Sequence, residues 1–154
     1  YEKRYKYYNF LYQMNLQEQI SRMKSMMNLV ETIVYRGAES PEFGKGSWKG
    51  VWVSPSKKIA GQYVGYDENY IWKYKLDSDI NLLDKDDDTA RMFENLFIKK
   101  YPEQDEYVNQ DGDFLELWMF PPDEFVKMLK EAGYDGYING SDMFIINLDV
   151  IKQQ

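Results

Sequence analysis

The chain contains no cysteine and no histidine. Without cysteine there is no disulfide and no thiol nucleophile, and the full absence fits a reducing compartment. Without histidine there is no Ser-His-Asp triad, no imidazole acid–base catalysis and no Cys/His zinc site. Any chemistry must therefore run on carboxylates, Arg, Lys, Tyr, Ser or an oxygen-ligated metal. Positive charge is also in deficit, with 19 Lys and Arg against 26 Asp and Glu, a net charge of −7. Sequence-independent binding to nucleic acid or to an anionic membrane requires the opposite sign, so neither is expected as a partner. No apolar run approaches the roughly 18 residues needed to span a bilayer.

What is abundant is tyrosine, 14 residues of 154. Its amphipathic ring suits stacking surfaces and wet grooves as well as cores, although AT-biased codon usage would produce the same excess. The length is that of one domain able to bury a core. We expect a single domain over 1–154, with an N-terminal helical segment at 1–30 and the core at 31–154.

Leu16, Ile20, Met23 and Met27 step by four, three and four, which predicts an amphipathic helix over 14–30. Thr32 to Tyr35 reads as a strand ending at Arg36-Gly37, and Val51 to Val53 as a strand stopped by Pro55. Ser54 or Ser56 caps a helix from about 56 to 64. Tyr70 to Leu76 alternates as a half-buried strand, and 80–83 is a further short strand. Asp84-Lys85-Asp86-Asp87-Asp88 starts a helix that buries Ala90, Phe93, Phe97 and Tyr101, and 103–113 reads as an exposed acidic loop. Pro121-Pro122-Asp123 opens a helix that Gly133 closes. Strands at 137–138 and 143–148 flank Asn139-Gly140-Ser141-Asp142. Helices and strands mix without βαβ order, so the fold class is α+β.

Two acidic stretches invite a metal reading and fail it. In 84–88 the acids run together and the last two enter a helix, and around Asp105, Glu106, Asp111 and Asp113 the spacing is wrong for a calcium loop. Gly44-Lys45-Gly46 precedes a strand, whereas a phosphate-binding glycine loop follows one and opens a helix.

Arg36 at a strand end, with Gly37 beside it, is a fork suited to a pyrophosphate. Next come Lys49-Gly50-Val51-Trp52-Val53-Ser54, a helix 56–63 ending in Tyr63, and the late pair Gly133-Tyr134-Asp135-Gly136-Tyr137-Ile138 and Asp142-Met143-Phe144-Ile145-Ile146. This order resembles the ADP-ribosyltransferase superfamily, with a polymerase-like second motif and late segments similar to phage, viral and bacterial members. The resemblance implies two small, mostly antiparallel sheets around an NAD cleft. It implies NAD as co-substrate, no metal, and mono-ADP-ribosyl transfer to a protein by a cytoplasmic, toxin-like effector, in a host cytoplasm if the source is a virus or phage.

Residue by residue, the resemblance implies Arg36 on NAD phosphate or ribose and the Gly37 backbone on the carboxamide. It makes Trp52 part of the slot wall, and Ser54 the motif-two serine, bonded to Arg36 or the ligand. Tyr63 would stack on nicotinamide, and Asp142 would be the motif-three acid. That acid is normally glutamate, and Gly140 stands where toxin-like members carry Gln or Glu. Asp135 is a second acidic candidate, although Asp-Gly between helix and strand is a common turn. A catalytically degenerate binding module on the same fold, or an unrelated tyrosine-rich binding domain, remain the alternatives. The oligomeric state stays open.

Overall fold

A computed structural model describes residues 32–43, 49–108 and 112–154. The chain divides into two compact units, Tyr1–Thr32 and Ile33–Gln154. The helix expected over 14–30 and the Gly44-Lys45-Gly46 loop lie outside the described residues.

Among the described residues seven strands form two small sheets. One orders β1 (Thr32–Gly37), β3 (Ile71–Leu76) and β7 (Ile151–Gln153); the other orders β2 (Val51–Val53), β6 (Asp142–Ile145), β5 (Gly136–Asn139) and β4 (Leu82–Asp84). The β2–β6, β5–β6 and β3–β7 pairs are antiparallel and β4–β5 is parallel. The helices are α1 (Lys57–Gly61), α2 (Asp88–Lys100), α3 (Leu115–Met119) and α4 (Asp123–Glu131). The architecture is α+β with two small, mostly antiparallel sheets. No helix among the described residues is long and apolar enough to cross a membrane.

Strand alternation builds two cores. In β2–β6–β5 the register places Trp52, Phe144 and Tyr137 side by side. Alternate side chains point to opposite faces, so Val51 and Ile145 form the other face. The first face packs on Phe93, Phe97, Trp118 and Phe125 from the helices. The second meets Val34, Tyr74 and Leu76 of the other sheet. The rings of the first core meet edge-on or tilted, as in Trp118–Phe125 at 4.9 Å and Trp118–Tyr137 at 4.9 Å. Each such pair contributes about 0.5–1.5 kcal/mol beyond area burial. Tyr137 is fully buried and donates its hydroxyl to the Trp118 carbonyl, and burial pushes its phenol pKa far up.

Several local expectations shift. The acidic run does not open the helix at Asp84. Asp84 ends β4, paired in parallel with Ile138, and its carboxylate accepts from the Asp86 N–H, so a turn intervenes before α2 begins at Asp88. The last long strand stops at Ile145 rather than Leu148, because the N–H groups of Ile146 and Asn147 both turn to the Asp135 carbonyl. The 103–113 stretch contains a 3-10 helix, Pro102–Tyr107, whose Tyr107 meets Phe97 edge-on. α3 and β7 were not anticipated, since five and three residues are too short to display a period.

Candidate functional site

β1 and β2 cross between the sheets at one point. Tyr35 and Ser54 form an isolated antiparallel bridge, with N···O distances of 2.7 and 2.9 Å. This bridge sets Arg36 and Gly37 beside the end of β2. Past it, the Ser56 hydroxyl caps α1 by accepting from the Ile59 N–H at 3.3 Å. α1 continues as a 3-10 turn, Gln62–Val64, which carries Tyr63. Consecutive left-handed residues, Gly65 and Tyr66, both with φ 61°, then reverse the chain. For tyrosine that conformation costs on the order of 1–3 kcal/mol, and such strain collects at functional sites.

Gly37 has a packing reason to be glycine. A Cβ there would come within 2.3 Å of the Ala60 carbonyl oxygen. The end of β1 therefore lies directly on α1, which brings Tyr63 close to Arg36. On the far side, β5 and β6 join through a two-residue turn, Gly140-Ser141, between paired Asn139 and Asp142. Gly140 has φ 63°, the positive angle a tight hairpin turn needs.

These elements enclose a cavity of about 460 Å³ lined by Tyr35, Arg36, Gly37, Phe43, Gly50, Val51, Trp52, Val53, Ser54, Ala60, Tyr63, Asp142 and Leu148. The volume falls in the range of about 300–1,000 Å³ typical of small-molecule sites. All six residues singled out from the sequence border it: Arg36, Gly37, Trp52, Ser54, Tyr63 and Asp142. Among the described lining residues Arg36 is the only cation and Asp142 the only anion.

Arg36 is held from two sides. Its guanidinium carbon lies 5.4 Å from the Phe43 ring centroid. It also lies beside the Tyr74 phenol, which donates its proton to the Pro41 carbonyl at 2.6 Å. Burial raises the Tyr74 pKa, with the Arg36 contact opposing that shift. Among the described residues the buried Nη1 nitrogen of Arg36 has no hydrogen-bond partner. A buried charged donor left unpaired costs more than a typical hydrogen bond returns, so this nitrogen is an open position for an acceptor.

Ser54 does not play the expected part. Its hydroxyl is 1% exposed, donates to the Ser141 carbonyl at 3.0 Å and accepts from the Ser56 N–H at 3.1 Å. It bonds the turn that carries Asp142 rather than Arg36. Trp52 borders the cavity, but its indole packs against Tyr137 and Phe144 in the helical core.

Tyr63 and Asp142 meet directly. The phenol donates to Asp142 Oδ2 at 3.3 Å, and the tyrosine is 63% exposed at the rim. Burial raises the Asp142 pKa, and the Tyr63 hydrogen bond partly offsets this. Burial, then the neighbouring Asp142 charge, raises the Tyr63 pKa.

Asp135 lies away from the cavity. Its carboxylate accepts from the Asn81 N–H at 2.9 Å and the Asn147 amide at 3.0 Å, so it ties the chain before β4 to the end of β6. Phe43, Tyr74 and Leu148 were missed by the sequence reading, because only folding brings them to Arg36 and the cavity wall. A second cavity, of about 340 Å³, opens beside Glu94 and Trp118. Burial raises the Glu94 pKa, and the neighbouring Trp118 opposes that shift. Among the described residues no group of three or more carboxylates could hold a metal.

Neither a scan of protein-family models nor searches of curated proteins and of solved structures found a match to this chain.

Proposed function

We propose that this chain is an NAD-dependent mono-ADP-ribosyltransferase acting on a protein, built on an ADP-ribosyltransferase-like fold. The observation that carries the reading is that Arg36, whose buried Nη1 has no partner among the described residues, and the Asp142 carboxylate line one cavity, at the positions the motif order picks out. Arg36 Nη1 offers a donor to an NAD phosphate or ribose oxygen. Cleaving the nicotinamide bond develops positive charge on the ribose, and the Asp142 carboxylate stabilises that charge and orients the nucleophile. Neither step requires histidine or cysteine, which the chain lacks. The acidic surface favours a protein over a nucleic acid as acceptor.

A binding-only reading has one observation in its favour. The Tyr63 hydroxyl already occupies one oxygen of an acid that is a methylene shorter than the family glutamate.

The test is incubation of the protein with adenylate-labelled NAD and a cell lysate, following nicotinamide release and protein label. Release with transfer to protein is expected. Saturable NAD binding without release would leave the binding module, and no binding would remove both readings.

A further inference from the structure

Several hydroxyls border or approach the cavity, and they differ in what holds their protons. The Ser54 proton is committed to the Ser141 carbonyl and the Tyr74 proton to the Pro41 carbonyl. Tyr63 alone among the described lining residues is hydrogen-bonded through its hydroxyl to a carboxylate. It is also well exposed at the cavity rim. At 3.3 Å the contact is slightly longer than a working proton-transfer distance, as is common before substrate binds. Nucleophile and base are therefore already paired within one chain.

We propose that Tyr63 is itself an acceptor, so that the chain ADP-ribosylates its own Tyr63 hydroxyl. The inference rests on the transferase reading above. Tyr63 Oη forms a bond to C1 of the ribose that carries nicotinamide. The C1–N bond breaks, and its electron pair leaves with the ring nitrogen as neutral nicotinamide. The phenolic proton passes to Asp142 Oδ2 and from there to water. The positive charge of the pyridinium is balanced by that released proton, and no further reactant is consumed. Tyr63 offers one hydroxyl, so self-modification stops at one group per chain.

The 154-residue chain is incubated with NAD and, in parallel, with free ADP-ribose. Intact mass, nicotinamide release and a peptide map are recorded. Cleavage after lysine yields Ile59–Lys73, which also contains Tyr66 and Tyr70 as internal controls. The expected result is a mass increase of one ADP-ribosyl group with NAD and none with free ADP-ribose. Fragmentation places the group on Tyr63, and neutral hydroxylamine, which cleaves a carboxylate ester, leaves it in place. Tyr63→Phe keeps the ring and loses the increment. Nicotinamide release from an unmodified chain, a group found elsewhere, or an increment that persists in Tyr63→Phe overturns the inference and leaves the transferase reading standing. Absence of nicotinamide release overturns both.

Discussion

The hydroxyl of Ser54, at the end of β2, donates to the carbonyl of Ser141, the residue that precedes Asp142. The two lie 87 positions apart, and the bond fixes the turn from which the Asp142 carboxylate projects. Ser54 is thus a positioning residue. Ser54→Ala leaves the Ser141 carbonyl and the Ser56 N–H each short of a partner, at a cost of about 1–3 kcal/mol in stability. Misplacing the acid lowers kcat by up to about 10²-fold. On the proposed reading NAD affinity is assigned to Arg36 and should change little. Steady-state kinetics distinguish this split from a uniform loss through unfolding.

Asp142→Asn preserves shape and can still accept from Tyr63. It removes the charge that the ribosyl cation needs, so nicotinamide release should fall by about 10²–10³-fold, with NAD binding much less affected. If the proposed transferase reading holds, Asp142→Glu adds the methylene of the acid in the resembled superfamily and should raise turnover. If both variants match the parent, the acid role belongs to another residue.

The same aspartate sets a pH dependence of stability. Burial raises its folded-state pKa above the unfolded value. Its contribution to stability is therefore full below the unfolded value and is lost as pH rises through the folded one. At neutral pH its ionised form is a local burden, so Asp142→Asn should leave the melting temperature unchanged or raise it while activity falls. A parallel scan in acid should narrow that difference. Turnover should also fall on acidification at a pH above that at which an ordinary aspartate titrates.

For Arg36, the unpaired Nη1 predicts a binding effect. Arg36→Gln removes a charge-assisted hydrogen bond worth about 1.5–3 kcal/mol, so NAD affinity should drop by about one to two orders of magnitude. Arg36→Lys keeps the charge without the planar fork and should fall between the two. Calorimetric titration with NAD measures this, and equal affinity in all three proteins would remove Arg36 from the site.

Asp135 separates structural from catalytic acid. Asp135→Ala removes its two carboxylate hydrogen bonds, about 1–1.5 kcal/mol each. Melting should drop by several degrees. Turnover per folded molecule should hold, and a specific loss of kcat would return Asp135 to candidacy.

Much of the architecture was legible because it rests on local chemistry. The Val51–Val53 strand, bounded by Gly50 and Pro55, was located to the residue. The buried faces at Phe93 and Phe97, and at Phe125 and Leu129, follow from helical spacing alone. Asp84 misled because an acidic run before a helix looks like its first turn. Only the pairing partner Ile138 shows that the strand extends that far.

By itself the sequence determined the α+β class, the binary pattern of both cores, and the exclusion of thiol and imidazole chemistry. It also singled out the residues now found around one cavity. Tertiary structure alone decided what those residues do to one another. It sent the Ser54 proton to Ser141 instead of Arg36, brought Phe43 and Tyr74 to the guanidinium, and set Tyr63 against Asp142. The reason is physical. Backbone elements arise from periodicities within a few residues, whereas a hydrogen bond joins groups whose separation is fixed only when distant strands close their register. Tyr63 and Asp142, 79 positions apart, became neighbours through the β1–β2 bridge and the β2–β6 ladder, and neither segment encodes that distance alone.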